Sequence, residues 1–108
     1  MKLIIAMILA LYSNSSLAVS VMGSKSCGEW IAQKPVGDDK SWPRIISEAW
    51  LIGYISGRAA ATGKDVLRDA AASGLILWVD NYCQLNPLAY TDEAGAKLFQ
   101  ELRRRSGI

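Results

Sequence analysis

The sequence predicts a small all-α protein, a single-domain bundle of about four to five short helices stapled by one disulfide. Its length of 108 residues is that of one ordinary domain. Apolar residues recur at spacings of three and four along several segments, as on the buried face of a helix. The chain has only two cysteines, Cys27 and Cys83, so a single intramolecular pairing exists.

The N-terminus has the features of a signal peptide. A short positive region, Met1–Lys2, precedes the apolar stretch Leu3–Tyr12, and Ser16–Ala18 matches the small-x-small pattern of a cleavage site. The apolar stretch is shorter than the roughly 20 residues of a membrane-spanning helix. We therefore expect cleavage after Ala18 and location in the periplasm.

Cleavage there divides the chain into a signal peptide (1–18), a flexible N-terminus without periodicity (19–25) and a helical domain (26–108). Ser20 and Gly23 are alternative cleavage points. No stable membrane span is expected after cleavage. An uncleaved anchor or a buried N-terminal helix is the alternative interpretation.

Export determines how the cysteines are interpreted. Two cysteines in an exported small chain usually pair, so we expect a Cys27–Cys83 disulfide. In the chain-entropy model, a loop of this length contributes about 4 kcal/mol of stability. Two free buried thiols are the alternative. We expect no metal and no cofactor, because histidine is absent and two sulfurs fall short of the usual four ligands.

Local signals delimit the first two helices. Ser26 is placed to cap a short helix, with Glu29 three residues on as in a capping box. Lys34–Lys40 is charged and contains proline and glycine, which predicts a loop. A proline in the first turn then favours a helix over Arg44–Ala61, ended by a turn at Gly63.

The helix over Arg44–Ala61 is apolar almost all round, which predicts burial or a second, interfacial face. Small side chains at every fourth position form a row that lets another helix approach closely, and we interpret this row as core packing rather than a cofactor groove. The apolar flank is a candidate interface for dimerisation or client binding. The row is Ala49, Gly53, Gly57 and Ala61, and the flank is Ile46, Trp50, Leu51, Tyr54 and Ile55.

Leu75–Pro87 is predicted to form the buried central helix, because its apolar residues share one face at spacings of three and four. A strand is the alternative for its apolar start, but no second strand candidate is present to pair with it. Pro87 ends the helix. Trp78 and Tyr82 are bulky, so we expect them to pack against the row of small residues.

The rest of the chain predicts a short helix over Val66–Ala71, capped by Asp65, and a last helix over Asp92–Arg105 with Thr91 as its N-cap. The run Arg103–Arg105 suits the negative end of that helix dipole. With a net charge of only +2, this single basic cluster does not predict nucleic-acid binding.

The sequence carries no sign of a catalytic site, so we expect no enzyme. It lacks histidine, the commonest general base, and it contains no nucleophile elbow or phosphate loop. Glu48 and Asp80 are the acids expected to be partly buried, and structural capping or ion pairing is the preferred role for both. The four tryptophans are expected in the core rather than around a ligand.

Three segments and the final amphipathic helix carry a family resemblance: residues 26–30 around Cys27, the stretch AWLIGY over 49–54, and WVDNYC over 78–83. They resemble the HdeA/HdeB family of periplasmic acid-stress chaperones. The resemblance implies a small all-α fold whose disulfide joins an early helix to a later one, at Cys27 and Cys83. A second group of similar exported, disulfide-bonded helical domains is the Rap1a/Tai type of immunity proteins, which bind secreted toxins.

The resemblance implies an acid-activated holdase. In strong acid the carboxylates protonate, the remaining cations repel one another, and a loosened fold offers apolar surface to unfolding periplasmic clients. The absence of histidine fits a switch near carboxylate pKa values, around 4, rather than near 6. The candidate acids are Glu29, Glu48, Asp80 and Asp92. The alternative is an exported module that binds one protein partner at neutral pH, and a homodimer stays open under either function.

Overall fold

The computed structural model describes residues 19–36 and 41–108. The helices in these ranges are α1 (Cys27–Ala32), α2 (Trp42–Thr62), α3 (Ala72–Leu85) and α4 (Thr91–Ser106). The predicted all-α class is confirmed, since the only β feature of the described ranges is an isolated antiparallel bridge between Ser26 and Tyr90. None of these helices is both long enough and apolar enough to span a bilayer. The predicted signal peptide and the last four residues of the predicted loop, 37–40, lie outside the described residues.

Two helix starts and two helix ends lie where local signals predict them, whereas α3 begins at Ala72 rather than at the predicted Leu75. The Ser26 hydroxyl accepts a hydrogen bond from the amide of Glu29 at 3.1 Å, and it caps α1. The Ser41 hydroxyl does the same for α2. Gly63 and Gly107 end α2 and α4 in the left-handed conformation, with φ of 66° and 72°, which glycine adopts without a side-chain clash.

One apolar core lies between α2, α3 and α4, and α1 closes one side of it. The predicted Cys27–Cys83 disulfide is present and joins α1 to α3. α2 and α4 lie close together at Gly95, where an added Cβ would stand 2.8 Å from the Tyr54 ring. The buried apolar residues are Cys27, Trp30, Leu51, Ile55, Val66, Leu75, Val79, Cys83, Ala94, Leu98 and Phe99.

The segment before α1 is held against the start of α4, and we call residues 22–26 the N-terminal strap. The Lys25 amide donates to the Thr91 hydroxyl at 2.9 Å, and the Thr91 amide donates back to the Lys25 carbonyl at 2.8 Å. The Ser24 hydroxyl donates to Asp92 at 2.7 Å. The flexibility predicted for residues 19–25 therefore does not extend to 22–25.

Two further predictions about element ends are wrong. Residues 66–69 form successive turns rather than the predicted helix over Val66–Ala71, because the predicted cap does not form: the Asp65 carboxylate accepts from the Arg68 side chain rather than from a backbone amide. Val66 is nevertheless buried. Tyr90 occupies the N-cap position of the last helix without a side-chain capping bond, and Thr91 is its first residue rather than its N-cap. The Thr91 hydroxyl is bonded to the strap instead.

The predicted packing of the small-residue row against the central helix is also wrong. All four of its members are exposed, and no atom lies within 4 Å of an added Cβ on Gly53 or Gly57. Trp78 and Tyr82 of α3 stack on each other instead, with ring centroids 5.6 Å apart. The physical reason is that α2 turns its opposite face, which contains Leu51, toward the core. The row consists of Ala49, Gly53, Gly57 and Ala61.

Candidate functional site

A buried arginine links three helices. The side chain of Arg44 in α2 is only 4% exposed. Its guanidinium forms an ion pair with Asp80 of α3, donates to the Trp30 carbonyl of α1 at 2.7 Å, and donates from Nε to Glu48 at 2.9 Å. We call Arg44, Asp80, Trp30 and Glu48 the arginine clamp. It attaches α2 to α1 and α3 at a single point.

The clamp also uses the side chain of Trp30. Its indole N–H donates to Asp80 Oδ1 at 2.7 Å, the same oxygen that pairs with Arg44. The Arg44 guanidinium carbon lies 4.1 Å from the centroid of the Trp30 ring, within the range of a cation–π interaction. Lys34 adds a weaker contact, with its ammonium 3.8 Å from Asp80 Oδ2. The Asp80 carboxylate therefore contacts three donor groups: the Trp30 indole, the Arg44 guanidinium and the Lys34 ammonium.

The disulfide lies one helical turn from the clamp. Cys27 precedes Trp30 by three residues in α1, and Cys83 follows Asp80 by three residues in α3. α1 and α3 are thus joined twice, by a covalent bond and by an adjacent charge-assisted contact. α2 is joined to this pair at the clamp through the carboxylate of Asp80. Loss of the Asp80 charge would loosen α2 while the α1–α3 bond stays intact.

The energetics of the clamp depend on the charge of Asp80. Its side chain is 14% exposed, against 31% for Glu48, so Asp80 is the better desolvated of the two acids that face Arg44. Removing one partner of a buried ion pair typically costs about 3–5 kcal/mol, because the other charge is left without compensation. A more exposed i, i+4 pair such as that of Glu48 contributes about 0.5 kcal/mol.

The structure separates the residues that the sequence grouped as a candidate interface. Leu51 and Ile55 are fully buried core residues. Ile46 is 66% exposed. Trp50 and Tyr54 lie half-buried between these faces and stack with ring centroids 5.1 Å apart. In the folded protein only Ile46 of this group is fully open to a partner, and Leu51 and Ile55 become accessible only if α2 leaves the core.

The solvent side of α2 carries no charged residue. We call this the outer face of α2, and every exposed residue on the helix is uncharged. The three charged residues of the helix, Arg44, Glu48 and Arg58, are buried or half-buried on its other sides. A surface helix usually has the reverse arrangement, with its charges toward water. The outer face is formed by Trp42, Ile46, Ala49, Gly53, Gly57 and Ala60.

A cleft of about 640 Å³ lies between α3, α4 and the turns at 65–71. Its floor is apolar and includes Leu75, Trp78 and Leu102. The arginines on its rim are already paired: Arg68 lies 3.2 Å from Asp65, and Arg105 lies 2.8 Å from Glu101. Throughout residues 19–36 and 41–108, no three acidic or cysteine side chains gather as metal ligands would.

Glu101, on the rim of this cleft, has a strongly perturbed titration. Hydrogen bonds from Arg104 and then Arg105 lower its pKa from 4.5 to about 2. The same contact raises the pKa of Arg104. Glu101 therefore keeps its charge at acidity that protonates ordinary carboxylates, so the end of α4 keeps its ion pairs when other acids have been neutralised.

The candidate acids have different environments. Asp80 lies in the clamp and Glu48 lies at its edge. Asp92 accepts from the Ser24 hydroxyl of the strap, and Glu29 is exposed in the first turn of α1. Sequence reasoning did not identify Arg44 as a site residue. In the structure Arg44 lies at helical spacings from Leu51, Ile55 and Arg58, on the face turned to the core. The spacing alone does not distinguish that face from the others, because α2 is apolar almost all round.

The fold and site together define a small, single-disulfide, all-α domain with a buried ion pair at the junction of three helices. No family model, no curated protein and no solved structure is significantly similar to this chain.

Proposed function

We propose that this protein is an exported, periplasmic holdase that loosens in strong acid and binds unfolding clients through exposed apolar surface. The observation that carries this proposal is the dependence of the arginine clamp on one carboxylate. Asp80 neutralises Arg44 and also accepts from Trp30. One of the contacts that hold α2 in place is therefore of a kind that protonation removes.

The consequence of acid follows from the geometry of the clamp. Protein carboxylates become protonated in strong acid, and a protonated Asp80 no longer neutralises the buried guanidinium of Arg44. A buried cation without its counter-ion is strongly unfavourable, so Arg44 moves toward water and takes the start of α2 with it. Leu51 and Ile55, on the same side of α2, then leave the core.

Two further features support a loosened rather than a fully unfolded state. Cleavage after Ala18 removes Lys2 and leaves 11 of the 12 lysine and arginine residues. Protonation removes most of the 10 carboxylate charges that offset them, and the repulsion among the cations favours expansion. The Cys27–Cys83 disulfide does not respond to pH and keeps α1 bonded to α3. The expanded chain is thus held together at the point from which α2 is released.

The test is suppression of client aggregation at about pH 2 to 3, combined with binding of an apolar dye to report exposed surface. We expect the wild-type protein to protect the client in acid and to leave it unprotected at pH 7. Asp80→Asn removes the charge permanently, so dye binding and protection should begin at a higher pH. Asp69→Asn, at an exposed position on the turns after α2, is the matched control and should behave as wild type.

Absence of protection at every pH contradicts the holdase proposal, as does a chain that stays fully packed at pH 2. If Asp69→Asn and Asp80→Asn shift the onset equally, the clamp is not the trigger. Each readout is taken with the disulfide intact, which is verified by mass spectrometry.

The second candidate function is an exported module that binds one protein partner at neutral pH, such as a Rap1a/Tai-type immunity protein. The uncharged outer face of α2 favours it, because that face is open without any acid-induced change. This function predicts a fold that stays stable in acid and a single partner recovered at pH 7. Affinity measurement with that purified partner, and its loss on changing Ile46→Glu, would distinguish it from the holdase.

A further inference from the structure

Arg58 is a half-buried cation of α2 that has no counter-ion. Its guanidinium carbon lies 5.8 Å from the centroid of the Tyr54 ring and 5.2 Å from that of Phe99 in α4. None of the ion pairs formed within residues 19–36 and 41–108 includes it. Arg44, the other arginine of α2, pairs with Asp80. Of the two cations that α2 turns away from solvent, only one is therefore neutralised by a carboxylate.

The hydrogen-bonding capacity of the Arg58 guanidinium is also unfilled. Nη1 donates to the Tyr54 hydroxyl at 3.1 Å. Nε is buried and has no hydrogen-bond partner, and it is the only buried side-chain nitrogen or oxygen of the described ranges in this condition. A buried donor without a partner costs free energy, and in native proteins such a group marks strain, a functional role or a bound ion.

The C-terminal end of α2 does not use this cation. An arginine near a helix C-terminus often bonds to the last carbonyls of the helix. Here the carbonyls of Arg58 and Ala59 accept from the Thr62 hydroxyl, at 2.8 Å and 3.3 Å. The Gly63 amide bonds to the carbonyl of Ala59 as well. Helix capping therefore does not explain the Arg58 guanidinium.

The surroundings of Arg58 leave it open to solvent on one side. Gly57 precedes it and Ala61 follows one turn later, and both are small and exposed. No atom lies within 4 Å of an added Cβ at Gly57. On the N-terminal side the Tyr54 ring stacks on Trp50, with ring centroids 5.1 Å apart. A ligand that approaches from solvent thus meets a guanidinium with an aromatic wall beside it.

We propose that Arg58 and the Tyr54 hydroxyl form a binding site for a small organic carboxylate with an apolar or aromatic body. A carboxylate supplies the one negative charge that the guanidinium lacks, and its two oxygens match the planar array of N–H donors. The Tyr54 hydroxyl accepts from Arg58, so its own proton is free to bond to the same ligand.

The number and position of the charges favour a monoanion over phosphate. The site offers one cation, and it lies near the C-terminal end of α2, where the helix dipole is negative and disfavours a dianion. The site goes beyond the proposed holdase activity, because it is formed at neutral pH and does not involve the clamp.

The assignment predicts that Arg58 contributes little to folding. Arg58→Met keeps a long side chain against the Tyr54 and Phe99 rings, and it removes both the unpaired charge and the unsatisfied Nε. Its midpoint in urea at pH 7 should stay within about 0.5 M of the wild type or exceed it. Arg44→Met breaks a buried ion pair and should lower the midpoint. If Arg58→Met lowers it equally, or does not fold, Arg58 is a structural residue and the proposal is overturned.

Binding is measured by ¹H–¹⁵N NMR titration of the disulfide-bonded protein at pH 7, followed at the Arg58 Nε–H and at the Gly57 amide. The probe is benzoate at up to about 20 mM, since one charge-assisted contact to a small ligand suggests a dissociation constant near 1 mM. We expect saturable shifts with benzoate and at least tenfold weaker binding of uncharged benzamide. Arg58→Met should weaken benzoate binding at least tenfold. Arg68→Met, which removes an exposed arginine from the turns after α2, is the matched control and should bind as wild type.

Two further probes test the class of ligand. They are inorganic phosphate and an end-blocked alanine pentapeptide with a central glutamate, which represents a carboxylate carried by a protein. Binding of either one as tight as that of benzoate overturns the assignment to a small organic carboxylate. The site itself is overturned if benzoate gives no saturable shift, if benzamide binds equally, or if Arg58→Met and Arg68→Met bind alike. These results leave the holdase proposal intact, since that is tested by client aggregation in acid.

Discussion

Replacing Asp80 with asparagine tests the arginine clamp directly. Asparagine retains an oxygen that can accept from the Trp30 indole but carries no charge for Arg44. Arg44 is 4% exposed and Asp80 is 14% exposed, so the lost interaction is that of a largely desolvated pair. Such losses typically cost 3–5 kcal/mol. Because Glu48 and the Trp30 carbonyl still contact the guanidinium, we expect the lower end, about 3 kcal/mol.

Urea unfolding at pH 7 measures this loss. A domain of this size has a slope near 1 kcal/mol per molar urea, so the midpoint should fall by about 3 M. Glu48→Gln is the control: it removes the more exposed acid of the same cluster and should cost about 0.5 kcal/mol. The two substitutions differ in how deeply the lost charge is buried.

The reasoning is refuted if Asp80→Asn and Glu48→Gln lower the unfolding free energy by equal amounts. A second check uses Arg44→Met together with Asp80→Leu. Replacing both members of a buried ion pair with apolar residues is often close to neutral. The double variant should therefore recover most of the stability that Asp80→Asn loses, and a double variant as unstable as the single one contradicts the assignment of Arg44 as a buried, charge-dependent clamp.

Three further predictions concern other parts of the fold. Gly95→Ala should lower the free energy of unfolding in urea by about 1–3 kcal/mol, because the new methyl group meets an aromatic ring 2.8 Å away. Gly53→Ala has open space around it and should raise the free energy of unfolding by up to about 1 kcal/mol. Equal effects of the two substitutions would contradict the described packing of α2. Replacing Cys27 and Cys83 with serine should remove about 4 kcal/mol by the chain-entropy model, and a variant with an unchanged thermal midpoint would exclude a stabilising disulfide. The pKa of Glu101 is lowered from 4.5 to about 2, so its charge stabilises the folded protein above pH 4.5 and that contribution is lost as pH falls toward 2. Glu101→Gln should flatten this part of the pH–stability profile. A profile identical to that of the wild type would show that the Glu101 charge does not stabilise the folded protein.

The boundaries of α1 and α2 could be predicted because their signals are local. Ser26 and Ser41 supply capping hydroxyls, and Gly63 supplies the left-handed turn that ends α2. The disulfide could be predicted because two cysteines allow only one pairing. Both kinds of inference use residues whose chemistry allows few alternatives, and both are confirmed by the structure.

The orientation of α2 could not be predicted in the same way. An arginine and a glutamate on an apolar helix normally mark its solvent face, yet here Arg44 and Glu48 mark the side of the clamp. The cause is Asp80, which lies 36 residues further along the chain. The pattern of apolar residues within α2 does not reveal that an acidic partner faces Arg44. The small-residue row was therefore assigned to the wrong side. The strap was missed for the same reason, since Lys25 and Thr91 are separated by 66 residues.

The strap and the disulfide together set the order in which the fold can assemble. Cys27 finds its partner 56 residues later, and Lys25 finds its partner later still. While the chain is being synthesised from its N-terminal end, α1 and α2 emerge before the residues that hold them in the fold are available. The early segments therefore lack these contacts until the start of α4 has been synthesised. The closing steps are thus concentrated at the end of synthesis, and the domain folds as one unit.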